Sequence, residues 1–223
     1  MVRQENKTSI FFIPVAVYAM LFFAFVKIRP LVFHNRNISC ALLITAYCVL
    51  GCTGIYLFRD YFRKGISEWK EHGVKSLLWL IGGYIADLVL ENLSCYPQFA
   101  LYPDYEGIND SSVSAAAELM PFPLFVAAAG VLGPVVEEII FRFILVDKLR
   151  SKLPAFICII LSSALFMVWH MHAITLPELL MNLPKFTTGL IYGIVMLRSK
   201  NPTISVLLHV FNNTSILIMF SKL

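Results

Sequence analysis

Residues 127–142 read Ala127-Ala-Ala-Gly-Val-Leu-Gly-Pro-Val-Val-Glu-Glu-Ile-Ile-Phe-Arg142. An uncharged run leads into two adjacent carboxylates, Glu137 and Glu138, followed one helical turn later by Arg142. One ionisable side chain at the centre of a bilayer costs about 2.5–3.5 kcal/mol on insertion scales. Two carboxylates and a guanidinium in such a run therefore need compensation from within the protein. On a helix, residues four apart share a face and adjacent residues do not. Glu138 and Arg142 thus face one another, with the glutamate N-terminal to the arginine, the favourable order for an ion pair. Glu137 points about 100° away and stays clear of that arginine. One helix offers a neutralised pair beside an available base.

The rest of the chain explains why such a helix is in lipid. Of 223 residues, 58% are hydrophobic and only 14% charged, with a mean hydropathy of +0.75. A soluble domain carries about 25% charged residues, so the composition predicts an all-α, polytopic transmembrane helical bundle in a cell membrane. At about 20 residues per crossing, the length accommodates about seven helices (six to eight) and no separate soluble domain. Apolar stretches predict crossings at 9–28, 38–58, 74–95, 121–147, 155–172, 178–198 and 203–220. Residues 1–95 then form N-terminal transmembrane helices, 96–120 an extracytoplasmic loop and 121–223 the core that carries the chemistry. The run 9–26 is too long for a signal-peptide core and lacks a small-x-small cleavage site, so it is predicted to be retained.

The net charge of +4 is informative by position and gives no reason to expect a nucleic-acid partner. Arg59, Arg63, Lys64, Lys70 and Lys75 fall between the second and third predicted helices, whereas 96–120 holds four acids and no Lys or Arg. The positive-inside rule places the first loop in the cytoplasm and the second outside. Lys148, Arg150, Lys152, Arg198 and Lys200 then lie inside. Lys27, Arg29 and Arg36 fall on the outer side and dissent. The five cysteines lack C-x-x-C spacing and read as packing thiols. Gly189-x-x-x-Gly193, Gly82-Gly83 and Gly51-x-x-Gly54 read as places where helices approach closely.

Two further helices repeat the i, i+4 arrangement. Phe166-x-x-x-His170 puts a ring beside an imidazole, and His209-x-x-x-Asn213 puts two hydrogen-bonding groups on one stripe. Such donors suit a developing oxyanion, or could ligate a metal. His172 and Asn212 point elsewhere on their helices and are weaker candidates. A hairpin through the turn at Leu153-Pro154 would bring Glu137 and His170 to similar depth, and all three stripes could converge in the inner half of the bilayer.

In order and spacing, Glu137-Glu138-x-x-x-Arg142, Phe166-x-x-x-His170 and His209-x-x-x-Asn213 resemble the three motifs of the CPBP family. These are the CAAX-protease and bacteriocin-processing proteins, also called the Abi family. The resemblance covers roughly residues 115–220 and implies a CAAX-protease-like helical core. It further implies an intramembrane endopeptidase whose site opens towards the cytoplasm. In that pattern Glu137 activates water, His170 holds the water or shares its proton, and His209 with Asn213 stabilises the oxyanion. Glu138 and Arg142 form the supporting pair.

The resemblance leads to a peptide or protein substrate, such as a bacteriocin or pheromone precursor, while short size and the absence of a targeting segment point to the bacterial plasma membrane as setting. No cofactor is expected, though Glu137, His170, His209 and Asn213 make zinc the alternative. Two readings compete with the peptidase. One is a non-catalytic immunity or regulatory protein acting through helix contacts with a membrane partner protein. The other is a transporter, since Asp87 and Glu91 form an i, i+4 carboxylate pair in the third predicted helix. Without broken helices around them, those two acids read as lying near the outer end of the helix or as helping to position the core.

Overall fold

A computed structural model of the chain describes residues 17–24, 27, 35–119 and 121–220. Most of the predicted first crossing, 9–28, therefore lies outside the described residues; 17–24 is helical. Eight further helices follow. α1 is Arg36–Leu57, capped by the Asn35 side chain, which accepts from Ile38 N at 3.1 Å. α2 is Arg59–Leu101, α3 is Ile108–Ala117 and α4 is Phe122–Ser151. α5 is Ala155–His170, α6 is Leu176–Met181, α7 is Leu183–Ser199 and α8 is Pro202–Phe220. No strand occurs among the described residues. The all-α polytopic bundle read from the sequence is what the chain forms.

The largest departure is α2. The basic segment expected as a loop between the second and third helices is helical, joined to the apolar run in one 43-residue helix kinked at His72 (φ −134°, ψ 43°). No proline interrupts 59–73, and one face of this arm has its own packing partners. Tyr61 lies 4.5 Å from the Phe143 ring and donates to Met196 Sδ at 3.2 Å. Trp69, two turns on, donates to Thr203 Oγ1 at 3.0 Å. Tertiary packing thus holds a stretch that its charge had marked as solvated loop. The expected loop 96–120 shrinks correspondingly, because α2 runs to Leu101 and α3 occupies most of the remainder.

Burial is arranged for lipid. Leu78, Ile81, Ile85 and Leu93 of α2 project outward, at 49% exposure or more, while Asp87 of the same helix is 1% exposed. So extended an apolar outer surface does not suit a soluble monomer. Stretches in α1, α2, α4 and the continuous α6–α7 segment Leu176–Ser199 are long and apolar enough to cross a membrane. α7 is the centre, packed against α2, α5 and α8. Its small residues permit this: a Cβ on Gly189 would lie 2.9 Å from Ser163 Cα, and one on Gly193 would lie 3.2 Å from Ile159. Gly82, expected to serve packing, faces open space, whereas Gly83 packs against Leu208. All five cysteines are free thiols.

The bundle has two distinct ends. Lys64, Lys148, Arg150 and Lys200 share one recess with Asp60 and Asp147, so residues expected on the cytoplasmic side do gather at one end. α3 and α6 belong to the other.

Candidate active site

α4 carries Glu137 and Glu138 at the end of a short α-helical turn, Gly133–Glu138, between two stretches of wider π-helix, Val126–Leu132 and Ile139–Lys148, the second of which carries Arg142. π-Helical turns inside α-helices occur frequently at functional sites. Glu138 and Arg142 are fully buried and pair at 3.1 Å between Oε1 and Nη1. The pair is electrostatic rather than directed. Glu138 Oε2 and the guanidinium nitrogens find no hydrogen-bond partner of good geometry among the described residues. Instead the guanidinium rests over the Phe166 and Tyr192 rings, 4.5 and 5.3 Å from their centroids.

His209, from α8, joins the two glutamates. Its Nδ1 is 3.1 Å from Glu138 Oε1 and its Nε2 is 3.5 Å from Glu137 Oε2. Phe166 meets its ring edge to face at 5.6 Å. His170, the last residue of α5, sits with Nδ1 2.8 Å from the Phe166 carbonyl oxygen. A carbonyl only accepts, so Nδ1 carries the hydrogen, and in the neutral ring Nε2 then keeps its lone pair. The main chain of Phe166, as well as its ring, orients this histidine. Asn213 gives one N–H to Ala129 O at 3.4 Å.

A cavity of about 150 Å³ joins these groups. Glu137, Phe166, His170, His209 and Asn213 line it, while Glu138 and Arg142 lie sealed behind. All seven motif residues therefore come together. Of the two adjacent glutamates, Glu137 is the one that reaches open space.

The cavity leads away from the basic end, since Asn109 and Asp110 of α3 and Lys185 of α7 complete its lining. At 1.5 Å per residue, Glu137 lies about 15 Å from Asp147 and His209 about 10 Å from Pro202, near mid-bundle. Two expectations thus exclude one another. A site open to the cytoplasm requires the α3 end to be cytoplasmic, whereas the distribution of cations puts that end outside.

Both nitrogens of His209 face carboxylates, which leaves Glu137 and His170 Nε2 as the strong donors facing the cavity. No three His, Cys, Asp or Glu side chains among the described residues are placed to share one ion.

Three residues outside the motifs shape the site. Asp87 of α2 accepts from Thr188 Oγ1 at 2.8 Å, Tyr192 OH at 2.9 Å and Asn212 Nδ2 at 3.0 Å. Asn212 also donates to Glu91 Oε2 at 3.2 Å. These acids hold α7 and α8 in place, as the core-positioning reading of them expected. Glu178 is fully buried and ties the α3 end together. It accepts from Tyr105 OH at 2.7 Å, Ile108 N at 3.4 Å, His172 N at 3.2 Å and Asn182 Nδ2 at 3.4 Å. Its carboxylate raises the Tyr105 phenol above its ordinary range through that hydrogen bond. Thr175-x-x-Glu178 is a capping-box spacing, with Thr175 Oγ1 accepting from Glu178 N at 3.4 Å, so a sequence signal for Glu178 existed. Lys185 is the third such residue.

A buried ion pair sealed behind a cavity that Glu137, His170 and His209 line, inside an apolar bundle, defines a membrane protein with a polar internal site. Residues 119–215, which carry all three motifs, match the family described as "Type II CAAX prenyl endopeptidase Rce1-like". The chain is also 29% identical over 147 residues to a Bacillus subtilis (strain 168) protein described as "Putative membrane peptidase YdiL". That alignment covers 65% of this chain and 56% of the relative, so the chain matches little more than half of the relative's length. No solved structure matches.

Proposed function

We propose that this protein is an intramembrane endopeptidase in which Glu137 activates water. The observation that carries this reading is the separation of two neighbouring carboxylates. Glu138 is sealed against Arg142, and Glu137 faces the cavity with His170 and His209. A water held between the Glu137 carboxylate and His170 Nε2 gives its proton to Glu137 as its oxygen attacks a peptide carbonyl. The oxyanion faces His209 Nε2 and the second Asn213 N–H. For His209 to donate there while Nδ1 donates to Glu138, the ring is doubly protonated. The charges of Glu137, Glu138, Arg142 and His209 then cancel. Glu137 returns its proton to the leaving amine, and no covalent enzyme intermediate forms.

Family and relative both support a peptidase in a membrane. Substrates in this reading are small peptide precursors or membrane-associated segments, and the setting is the bacterial plasma membrane, the relative being bacterial. The test is cleavage of a pool of leader and pheromone peptides by purified protein in lipid, with Glu137→Gln beside it and a chelator in parallel. Cleavage by the unmutated protein, lost in Glu137→Gln and indifferent to the chelator, is the expected result. Activity restored by zinc after chelation would overturn the metal-free mechanism. A cellular phenotype that survives Glu137→Gln would favour a helix-contact role in immunity or regulation.

A further inference from the structure

The recess at the basic end is larger than the cavity that holds Glu137, about 650 Å³ against 150 Å³, and the proposed chemistry leaves it without a role. That volume lies in the ordinary range of ligand sites, about 300–1,000 Å³. Phe58, Phe143 and Met196 supply its buried apolar part. Lys64, Lys148, Arg150 and Lys200 line it together with Asp60, Glu68 and Asp147.

The charges do not cancel. Asp147 pairs with Arg150 at 2.9 Å, and Asp60 with Arg63, outside the lining, at 3.5 Å. Lys64, Lys148 and Lys200 then face Glu68 alone. Glu68 is four residues after Lys64, the poorer order for an ion pair, and among the described residues no acid pairs with Lys64 or Lys200. Lys148 and Lys200 also complement the carboxyl ends of α4 and α7. Lys64 has no such reason, being in the second turn of α2, near an end that favours anions. Lys200 alone among the described residues has a positive φ, 60°. That left-handed position at the end of a helix usually takes glycine, so the lysine is to be accounted for by its side chain.

The depth of the recess follows from α1. Its apolar crossing, Asn37–Leu57, ends on a residue that lines the recess and is 43% exposed. Tyr56 beside it is exposed, with the Arg59 guanidinium 5.2 Å from the centre of its ring. A tyrosine and an arginine at the end of a crossing mark the headgroup level.

We propose that this recess is a binding site for an anionic glycerophospholipid. Its phosphate is received by Lys64, Lys148 and Lys200, and its acyl chains lie along the exposed apolar face of α1 at Ile55 and Leu57. The headgroup would tie the arm of α2 to the end of α4 and to the α7–α8 turn. Basic pockets between membrane helices take such headgroups.

The experiment titrates the full chain in a neutral detergent with phosphatidylglycerol, or with phosphatidylcholine of the same acyl chains, and counts bound lipid by native mass spectrometry. One phosphatidylglycerol is expected to bind about tenfold or more tightly than phosphatidylcholine. Lys64→Gln and Lys200→Gln should each weaken it about fivefold, the effect of one cation beside an anionic lipid, and the double variant should lose the selectivity. Lys64→Arg should keep it, as should Lys70→Gln, on the same arm but outside the lining. Thermal unfolding without lipid checks that each variant is folded, and the single variants decide if the double one is not. Equal affinity for the two lipids overturns the site. So does selectivity that survives the double variant, or that falls as much with Lys70→Gln, which would mark diffuse attraction to the whole basic end. Displacement of the lipid by glycerol 3-phosphate at matching concentration would assign the recess to a soluble phosphate and overturn the lipid. Cleavage enters none of these outcomes, so they hold whether or not the protein is a peptidase.

Discussion

Two buried clusters of acids stand on either side of the Tyr192 ring, and they are stabilised in opposite ways. Asp87 is surrounded by neutral donors, Thr188, Tyr192 and Asn212, each within 3.0 Å. Glu137 and Glu138 have charged or chargeable neighbours, Arg142 and His209, and little directed hydrogen bonding. A carboxylate held by several donors is fixed in place. One balanced by charge, with an oxygen facing a cavity, remains able to exchange a proton. The first cluster is built as a brace and the second is the reaction site of the proposed peptidase, although both consist of acids in an apolar bundle.

The comparison can be broken by exchanging each carboxylate for its amide. Glu137→Gln is expected to lower peptide cleavage by about 10²–10⁴-fold, the usual range for losing a general base, with thermal unfolding little changed. Arg142→Met should act on stability instead. It leaves Glu138 sealed and short of its main counter-charge, at a cost of about 3–5 kcal/mol, read by thermal unfolding in detergent. Adding Glu138→Leu should recover much of that loss, because an apolar pair of similar volume can replace a buried ion pair. Asp87→Asn is expected to cost about 1–3 kcal/mol and to reduce cleavage far less than Glu137→Gln. If Asp87→Asn instead abolished cleavage without loss of stability, the brace would have to be counted among the reacting groups.

A last experiment sharpens the comparison of the two ends. Ser112→Cys on α3 and Lys152→Cys beyond α4 should react oppositely with a membrane-impermeant maleimide in intact cells, read against the unmutated protein as background. Labelling at 112 alone supports the distribution of cations, and labelling at 152 alone supports a site open to the cytoplasm.

The catalytic candidates were legible because each motif is an i, i+4 pair within a single helix, a spacing that carries its own geometry. What was not legible required partners distant in sequence. Asp87 is bonded by residues more than a hundred positions away, and nothing in its neighbourhood separates a brace from a proton relay. The arm of α2 before His72 was read as a loop because its charges dominate, although Tyr61, Gly65 and Trp69 form a packing face at helical spacing. The π-helical turns of α4 are a property of the backbone hydrogen-bond register, which the side-chain pattern does not disclose. The bundle itself followed from composition, since a chain so poor in charge has few other ways to satisfy its backbone in lipid.

The arm of α2 lies across the basic end of the bundle, with Tyr61 on Met196 and Trp69 on Thr203. The cavity shares no lining residue with the recess at that end, and its inner limit is the sealed pair of Glu138 and Arg142. Among the described residues the chamber is closed at that end. In the proposed peptidase both fragments of a cut peptide would leave on the α3 side, so accumulated fragments would compete with incoming chains and progress curves should bend early as product builds up.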